Sequence, residues 1–328
     1  MKVGITGVTG FIGSKLSSRL VKKGYKVVGF VRHDGFSRNR VEGVDYVEVD
    51  LTSNPIPSNV ELDVLINLAS ITPVRYSYDN SQQYLVNNLL LVQNVLQYLD
   101  KHEDTFLIHA STAEVYPYLS VADFSKKFKE EDVNITNVSS PYAISKIGQE
   151  MLIHHHYSTR RKNYLMFRMT NTYHRDVFRL PEEARGYFVE KTVLSMLCGF
   201  KKISYHGYPQ SQRQWIHYTD HVSMYEYALD HLERVNDVGN VINVAKDNAE
   251  TLDQIVKLAK RYTEWDGEIV WGVKPRPVDP NSLLLDNARL KKFWPGKEFL
   301  PLTEGLNIMV MDYSHAMVNN REICSHID

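Results

Sequence analysis

Two rhythms of apolar and polar positions alternate along the first half of the chain. Short runs rich in β-branched residues are followed by amphipathic stretches that repeat every three to four residues. "KVGIT" (2–6), "KVVGFV" (26–31), "DYVEVD" (45–50), "DVLINLA" (63–69), "TFLIHA" (105–110) and "NYLMFRM" (163–169) read as strands. Helices are predicted over 11–24, closed by Gly24, over 81–102 and over 141–159. Apolar strands separated by helices predict a parallel sheet covered on both faces, an α/β fold of the doubly wound type.

After about residue 175 the rhythm loosens. A polar loop, "HRDVFRLPEEARG", precedes a helix over 188–199, a short strand in "KISYHG" and a helix over 219–232. "NVINVAK" (240–246) reads as a strand returning to the main sheet, a helix near 251–262 starts after Thr251, and a last helix covers 302–315. The expected organisation is a Rossmann-type domain over 1–175, joined by 240–246. A smaller, mixed α/β substrate-binding region covers 176–315, and 316–328 form a polar tail.

The chain has 328 residues, 43% of them hydrophobic, and a formal charge of -1. That length supports a sizeable core, and near neutrality argues against nucleic-acid binding driven by net charge. "MKVGITG" enters a strand pattern directly and no run is long enough to cross a bilayer, so a cytoplasmic protein that binds no membrane is expected. The two cysteines, Cys198 and Cys324, are far apart, and their spacing suggests neither a disulfide nor a zinc site. "HHH" (154–156) lies inside a helical pattern that points its members in different directions, so no metal is expected.

Chemistry enters with "TGVTGFIG" (6–13), which sets Gly7, Gly10 and Gly13 between a strand and a helix. Gly7 permits the turn, Gly10 lets the backbone approach a pyrophosphate, and Gly13 permits close helix packing. Thr9, Phe11 and Ile12 complete a loop whose amides face negative charge. NAD or NADP is the expected cofactor. Arg32, ending the second strand with Asp34 near it, suits either an adenine stack or a 2'-phosphate. Asp50, followed by Leu51, is placed to accept from adenine, and Leu68 and Ala69 end the fourth strand beside the cofactor. "PYAISK" (141–146) puts Tyr142 and Lys146 on one helix face, and Thr112 ends the fifth strand. A phenol with a pKa near ~10 is a poor base at neutral pH, and a neighbouring ammonium corrects that mismatch. Tyr142 then takes a hydroxyl proton while Thr112 holds the same oxygen and Lys146 holds the nicotinamide ribose.

With these motifs in place, the sequence resembles the extended short-chain dehydrogenase/reductase family, in its NAD(P)-dependent nucleotide-sugar epimerase/dehydratase branch. "TGVTGFIG", Asp50, "LINLAS", Asn87 with Asn94, "STAEVY", "PYAISK" and "FRMTNTY" carry the resemblance. It implies a Rossmann-type domain, a nucleotide-diphosphate sugar held in the domain cleft and a homodimer formed through two helices per subunit. It also implies Thr112, Tyr142 and Lys146 as the catalytic trio, with Asn171 near nicotinamide and substrate. Asn87 would brace the loops, and Arg213 and Arg276 would contact the substrate diphosphate. Three positions depart from the family pattern: His174, Pro117 and Leu91 stand where glycine is usual.

The resemblance leaves the reaction open. In one dehydratase group an Asp–Glu pair follows the threonine, whereas this chain has Ala113 and Glu114. A 4-epimerase needs no further acid and is the first expectation. A 4,6-dehydratase using Glu114 is the alternative, with a 4-keto-sugar reductase or a decarboxylase behind it.

Overall fold

Alternate residues along each central strand enter opposite cores, as the two-residue period of a strand requires. Val3, Ile5, Val64, Ile66 and Ile108 join one apolar cluster, whereas Val28, Phe30, Leu65 and Leu107 join another. The computed structural model describes residues 1–32, 40–120, 123–160, 162–176, 187–273, 281–319 and 323–324. Its strands are β1 (Lys2–Thr6), β2 (Lys26–Val31), β3 (Val44–Glu48), β4 (Val64–Asn67), β5 (Phe106–Thr112), β6 (Lys127–Phe128), β7 (Leu165–Met169) and β8 (Asn171–Tyr173). They continue with β9 (Lys202–Ser204), β10 (Gln212–Arg213), β11 (Trp215–His217), β12 (Val241–Val244), β13 (Glu250–Thr251), β14 (Glu268–Val270) and β15 (Ser282–Leu285). The helices are α1 (Phe11–Lys22), α2 (Tyr76–Asp79), α3 (Ser81–Leu99), α4 (Pro141–Arg160), α5 (Phe188–Leu197), α6 (Tyr218–Asp230), α7 (Val235–Val238), α8 (Leu252–Thr263), α9 (Ala288–Phe293) and α10 (Leu302–Asn319).

The main sheet runs β12-β7-β5-β4-β1-β2-β3 and every pairing in it is parallel. This is a Rossmann-type doubly wound sheet. Leu16 and Leu20 of α1 and Val222 of α6 cover one face; Val92 and Leu96 of α3 and Ile153 of α4 cover the other. Smaller sheets follow: β13-β10-β15-β6, β11 with β8, and β14 with β9. A third core fills the region they frame, with Val193 from α5, Ile255 from α8 and Leu306 from α10. Thr251 caps α8 with a reciprocal capping box to Gln254.

Strand order reverses between β1 and β4, and ligands of such sheets bind in the crevice beyond that switch point. Both loops that leave this point carry motifs noted in the sequence. β4 stops at Asn67, short of the expected Ala69, because the Leu68 and Ala69 amides donate to Thr6 Oγ1 at 3.1 and 3.0 Å instead of to the ladder.

Two expectations need correction. Cys198 and Cys324 form a disulfide, their Cα atoms 5.6 Å apart across 126 residues of sequence. Local spacing carries no trace of it, because the fold alone brings the end of α5 to the C-terminal segment. The last helix also runs to Asn319 rather than 315. Ile323 is buried in the third core, so a segment expected to be a polar tail is anchored. Among the described residues no helix is long and apolar enough to cross a membrane.

Candidate functional site

The turn after β1 is built around contacts that exclude side chains. Gly7 has φ +65°, and the Gly10 amide donates to its carbonyl at 2.9 Å. A Cβ at Gly13 would sit 2.2 Å from Gly7 O, so α1 packs directly on the turn. Gly10 caps α1 without a side-chain bond, which leaves the first amides of the helix facing a cavity. A Cβ at Gly7 would meet the backbone of Leu68 and Ala69 at 3.0 Å, so the two loops of the switch point touch. This cradle has the form a dinucleotide diphosphate requires, and the donors around it fit one.

The cavity holds about 540 Å³, within the range of small-molecule sites. Gly7, Gly10, Phe11, Ile12, Gly13, Leu68 and Ala69 line one part of it. Thr112, Glu114, Tyr142, Lys146, Asn171 and Arg213 line the rest. Thr9, Arg32, Asp50 and Leu51 do not line it. Arg32 is an exposed residue following β2, and its charge reaches Asp50. Hydrogen bonds from the Thr52 hydroxyl and amide, then the Arg32 charge, hold the Asp50 carboxyl below its usual range. Leu51 is buried, and its carbonyl accepts from Asn94 Nδ2 at 2.8 Å. Arg276, Asp34 and the other members of 33–39 and 274–280 lie outside the described residues.

Tyr142 is the second residue of α4 and is 7% exposed. Burial pushes its phenol up, a hydrogen bond with Thr112 pulls it down, and the Glu114 charge pushes it up again. The expected help from Lys146 is not among these influences. Lys146 Nζ instead donates to Ala110 O at 2.7 Å and to Gln149 Oε1 at 2.8 Å. Burial lowers its pKa to about 7, against a smaller upward pull from Glu150. Near neutrality the lysine is thus poised between its two charge states.

Thr112 ends β5 and its Oγ1 accepts the Glu114 amide at 3.3 Å, starting a short 3-10 turn. That turn brings Glu114 round to the cavity. Its Oε2 accepts from Tyr118 Oη at 2.6 Å and from Ser139 Oγ at 3.4 Å. The bracing role expected of Asn87 falls to its neighbour. Asn88 is fully buried, accepts the Ile71 amide at 2.8 Å and donates to Ser145 Oγ at 2.9 Å. A shift of one residue on a helix turns the side chain by about 100 degrees, which puts 88 and not 87 against α4 and the loop at Ile71.

Sequence reasoning missed several cavity residues: Arg75, Arg175, Glu190, Lys191, His221 and Tyr225. None belongs to a motif with a fixed spacing. One signal lay in the departure at His174, which has φ +69° in the left-handed region that usually favours glycine. It is held there by a 2.7 Å bond between its Nδ1 and His217 Nε2 and by Asp312 Oδ2, 3.1 Å from its Nε2.

Residues 3–245 match the family described as NAD dependent epimerase/dehydratase family. A dTDP-D-glucose 4,6-dehydratase of Dictyostelium discoideum is 26% identical over 280 residues, 79% of this chain and 62% of that protein. Protein CapI of Staphylococcus aureus is 33% identical over 168 residues, 47% of this chain and 49% of that protein. The matched regions therefore span about half to three-fifths of these relatives' length. Among solved structures, the UDP-glucuronic acid 4-epimerase of Bacillus cereus, in complex with UDP-glucuronic acid and NAD, superposes with a TM-score of 0.82. That alignment covers 96% of this chain and 100% of the other at 23% identity.

Proposed function

The chain belongs to the NAD dependent epimerase/dehydratase family, and from that premise we propose that it is a nucleotide-sugar 4-epimerase using NAD or NADP. One observation carries the reading: Thr112, Tyr142 and Lys146 share a cavity with the glycine cradle at the switch point of the sheet. A dinucleotide lying on that cradle and a nucleotide-diphosphate sugar reaching Tyr142 would meet in it. A nicotinamide bound there supplies a reversible hydride acceptor, so oxidation at C4 and reduction from the opposite face leave the cofactor unchanged.

The protein's own groups do the rest. Tyr142 Oη takes the proton of the sugar 4-hydroxyl and later returns it. Thr112 Oγ1 has one proton to donate, which goes to Tyr142 before substrate binds and would go to the same sugar oxygen afterwards. A protonated Lys146 would favour the Tyr142 phenolate by its charge alone, since its Nζ hydrogen bonds go to Ala110 and Gln149, and a bound nicotinamide would add positive charge there. Arg213 lines the cavity at β10, and with Arg276 it is assigned to the substrate diphosphate, whose paired oxygens suit guanidinium forks.

Glu114 supports a second reading. It lines the cavity and its charge reaches Tyr142, so a 4,6-dehydratase with Glu114 as the base for the carbon-bound proton is the alternative. Epimerisation is preferred because Ala113 supplies no second acid and Glu114 Oε2 is already bound to Tyr118 and Ser139. Mass and NMR analysis of products from a panel of nucleotide sugars, with each cofactor, separates the two. Loss of one water marks dehydration; unchanged mass with an inverted C4 marks epimerisation. Tyr142→Phe is expected to suppress the reaction, and near-normal turnover by that variant would refute the assignment. Glu114→Gln should disable a dehydratase and spare an epimerase.

The homodimer is proposed on the same family basis. Val86 and Leu90 of α3 and Ile144 and Met151 of α4 are large apolar side chains left exposed on packed neighbouring helices. Two such pairs facing each other would cover them.

A further inference from the structure

Arg175, His221 and Tyr225 are among the residues that line the cavity, and each carries a buried polar atom with no hydrogen-bond partner among the described residues: Arg175 Nε, His221 Nε2 and Tyr225 Oη. Orphaned polar atoms at a buried site are costly unless a ligand completes them. Here each is held from behind. The Arg175 amide donates to Glu190 Oε1 at 3.2 Å and its carbonyl accepts from Tyr313 Oη at 2.5 Å, which pins the backbone from α5 and α10. The guanidinium then lies between two rings, 5.0 Å from the centroid of Phe11 and 3.8 Å from that of Tyr187. Phe11 is the first residue of α1, so this cation stands at the helix end where phosphate is favoured.

His221 and Tyr225 come from α6, one turn apart, and their rings are stacked with centroids 5.5 Å apart. His221 is 8% exposed and Tyr225 is fully buried. Thr172 Oγ1 holds His221 Nδ1 at 2.8 Å, which fixes the ring and leaves Nε2 as its unpartnered nitrogen. Burial, with the Arg175 charge adding to it, keeps this imidazole neutral at physiological pH.

We propose that Arg175, with His221 and Tyr225, forms a side-chain arm of the diphosphate cradle and grips the phosphates of the dinucleotide beside the amides of α1. The inference rests on the cofactor reading above and extends it to groups outside the glycine loop. A nucleotide sugar also carries a diphosphate, and the two sources are told apart by probe. Titration calorimetry with ADP-ribose, which has the dinucleotide's diphosphate without nicotinamide, is compared with titration by UDP and dTDP. Arg175→Met keeps the apolar stem, and Tyr225→Phe removes one hydroxyl; a thermal melt of each variant shows that it is folded.

Arg175→Met is expected to weaken ADP-ribose about tenfold or more, a factor equivalent to ~1.4 kcal/mol. It should also flatten the salt dependence of that affinity, which a merely structural role would not do. Tyr225→Phe should weaken ADP-ribose less, and neither change should alter UDP or dTDP binding. Equal ADP-ribose affinity in the wild type and Arg175→Met would overturn the inference while leaving the cofactor reading intact. Weakening of UDP or dTDP instead would overturn the assignment to the dinucleotide. A wild-type protein that binds no ADP-ribose would remove both.

Discussion

Replacing Glu150 by Gln tests how the buried charges behind the site are balanced. Glu150 and Arg168 are 8% and 5% exposed. Arg168 Nε donates to Glu150 Oε1 at 3.0 Å and Nη2 to Oε2 at 2.7 Å, a fork on a carboxylate. Ser111 Oγ donates to Glu150 as well, and Arg168 Nη1 reaches Tyr116 Oη at 2.8 Å and Glu130 O at 2.7 Å. Removing one charge of such a pair strands the other, which costs about 3–5 kcal/mol. Glutamine keeps one acceptor, and Arg168 keeps Tyr116 and the Glu130 carbonyl, so the lower end, ~3 kcal/mol, is expected.

Urea denaturation reads that loss as a lower midpoint at unchanged slope. The double variant Glu150→Leu/Arg168→Met removes both charges and should be at least ~1 kcal/mol more stable than Glu150→Leu alone, since a buried pair is often replaceable by apolar groups. A second readout comes from Lys146. Glu150 is the group that raises its pKa against burial, so Glu150→Gln should lower it further below about 7. Activity that needs the Lys146 ammonium falls as pH rises through that value, and the falling limb of the pH profile should move to lower pH. A stability loss under ~1 kcal/mol, or a double variant no better than the single one, would refute the reasoning.

Lys146→Met should abolish turnover yet stabilise the fold, because the folded pKa of about 7 lies below the ordinary 10.5. Between those values the unfolded chain binds a proton that the folded chain does not, so wild-type stability rises with pH across that window. The gain from Met is largest below pH 7 and vanishes above about 10.5; after losing the bonds to Ala110 and Gln149 it should be roughly 1–3 kcal/mol, read by urea denaturation. Leu90→Glu on the exposed face of α3 should turn a sedimenting dimer into a monomer, and an unchanged dimer would place its interface elsewhere. Opening the Cys198–Cys324 bond with reductant, or by Cys324→Ser, should lower the melting temperature. Loop-closure entropy over 126 residues sets an upper limit of about 5 kcal/mol on that loss.

The parts of the molecule that were legible in the sequence are those fixed by short-range rules. Val3 and Ile5, then Gly7, Gly10 and Gly13, then Leu16 and Leu20 lie within one strand–turn–helix unit, where period and backbone freedom determine the outcome. Tyr142 and Lys146 are four apart on one helix, so their common face needs no tertiary information. What escaped depends on distant segments. Asn88 differs from Asn87 only in facing Ile71 and Ser145, the latter on a helix 57 residues further on. The disulfide joins two chain ends of a region whose third core no local pattern outlines. Arg175, His221 and Tyr225 also escaped, because none of them belongs to a motif of fixed spacing and only the fold brings them to one cavity. His174 stands next to the first of them. A left-handed histidine costs roughly 1–2 kcal/mol over a glycine that would adopt the same turn freely. His217 and Asp312 offset that cost, and the residue placed immediately after the turn is the arginine that reaches Phe11. The departure from pattern thus adjoins one of the unpartnered donors, Arg175, on which the proposed diphosphate arm depends.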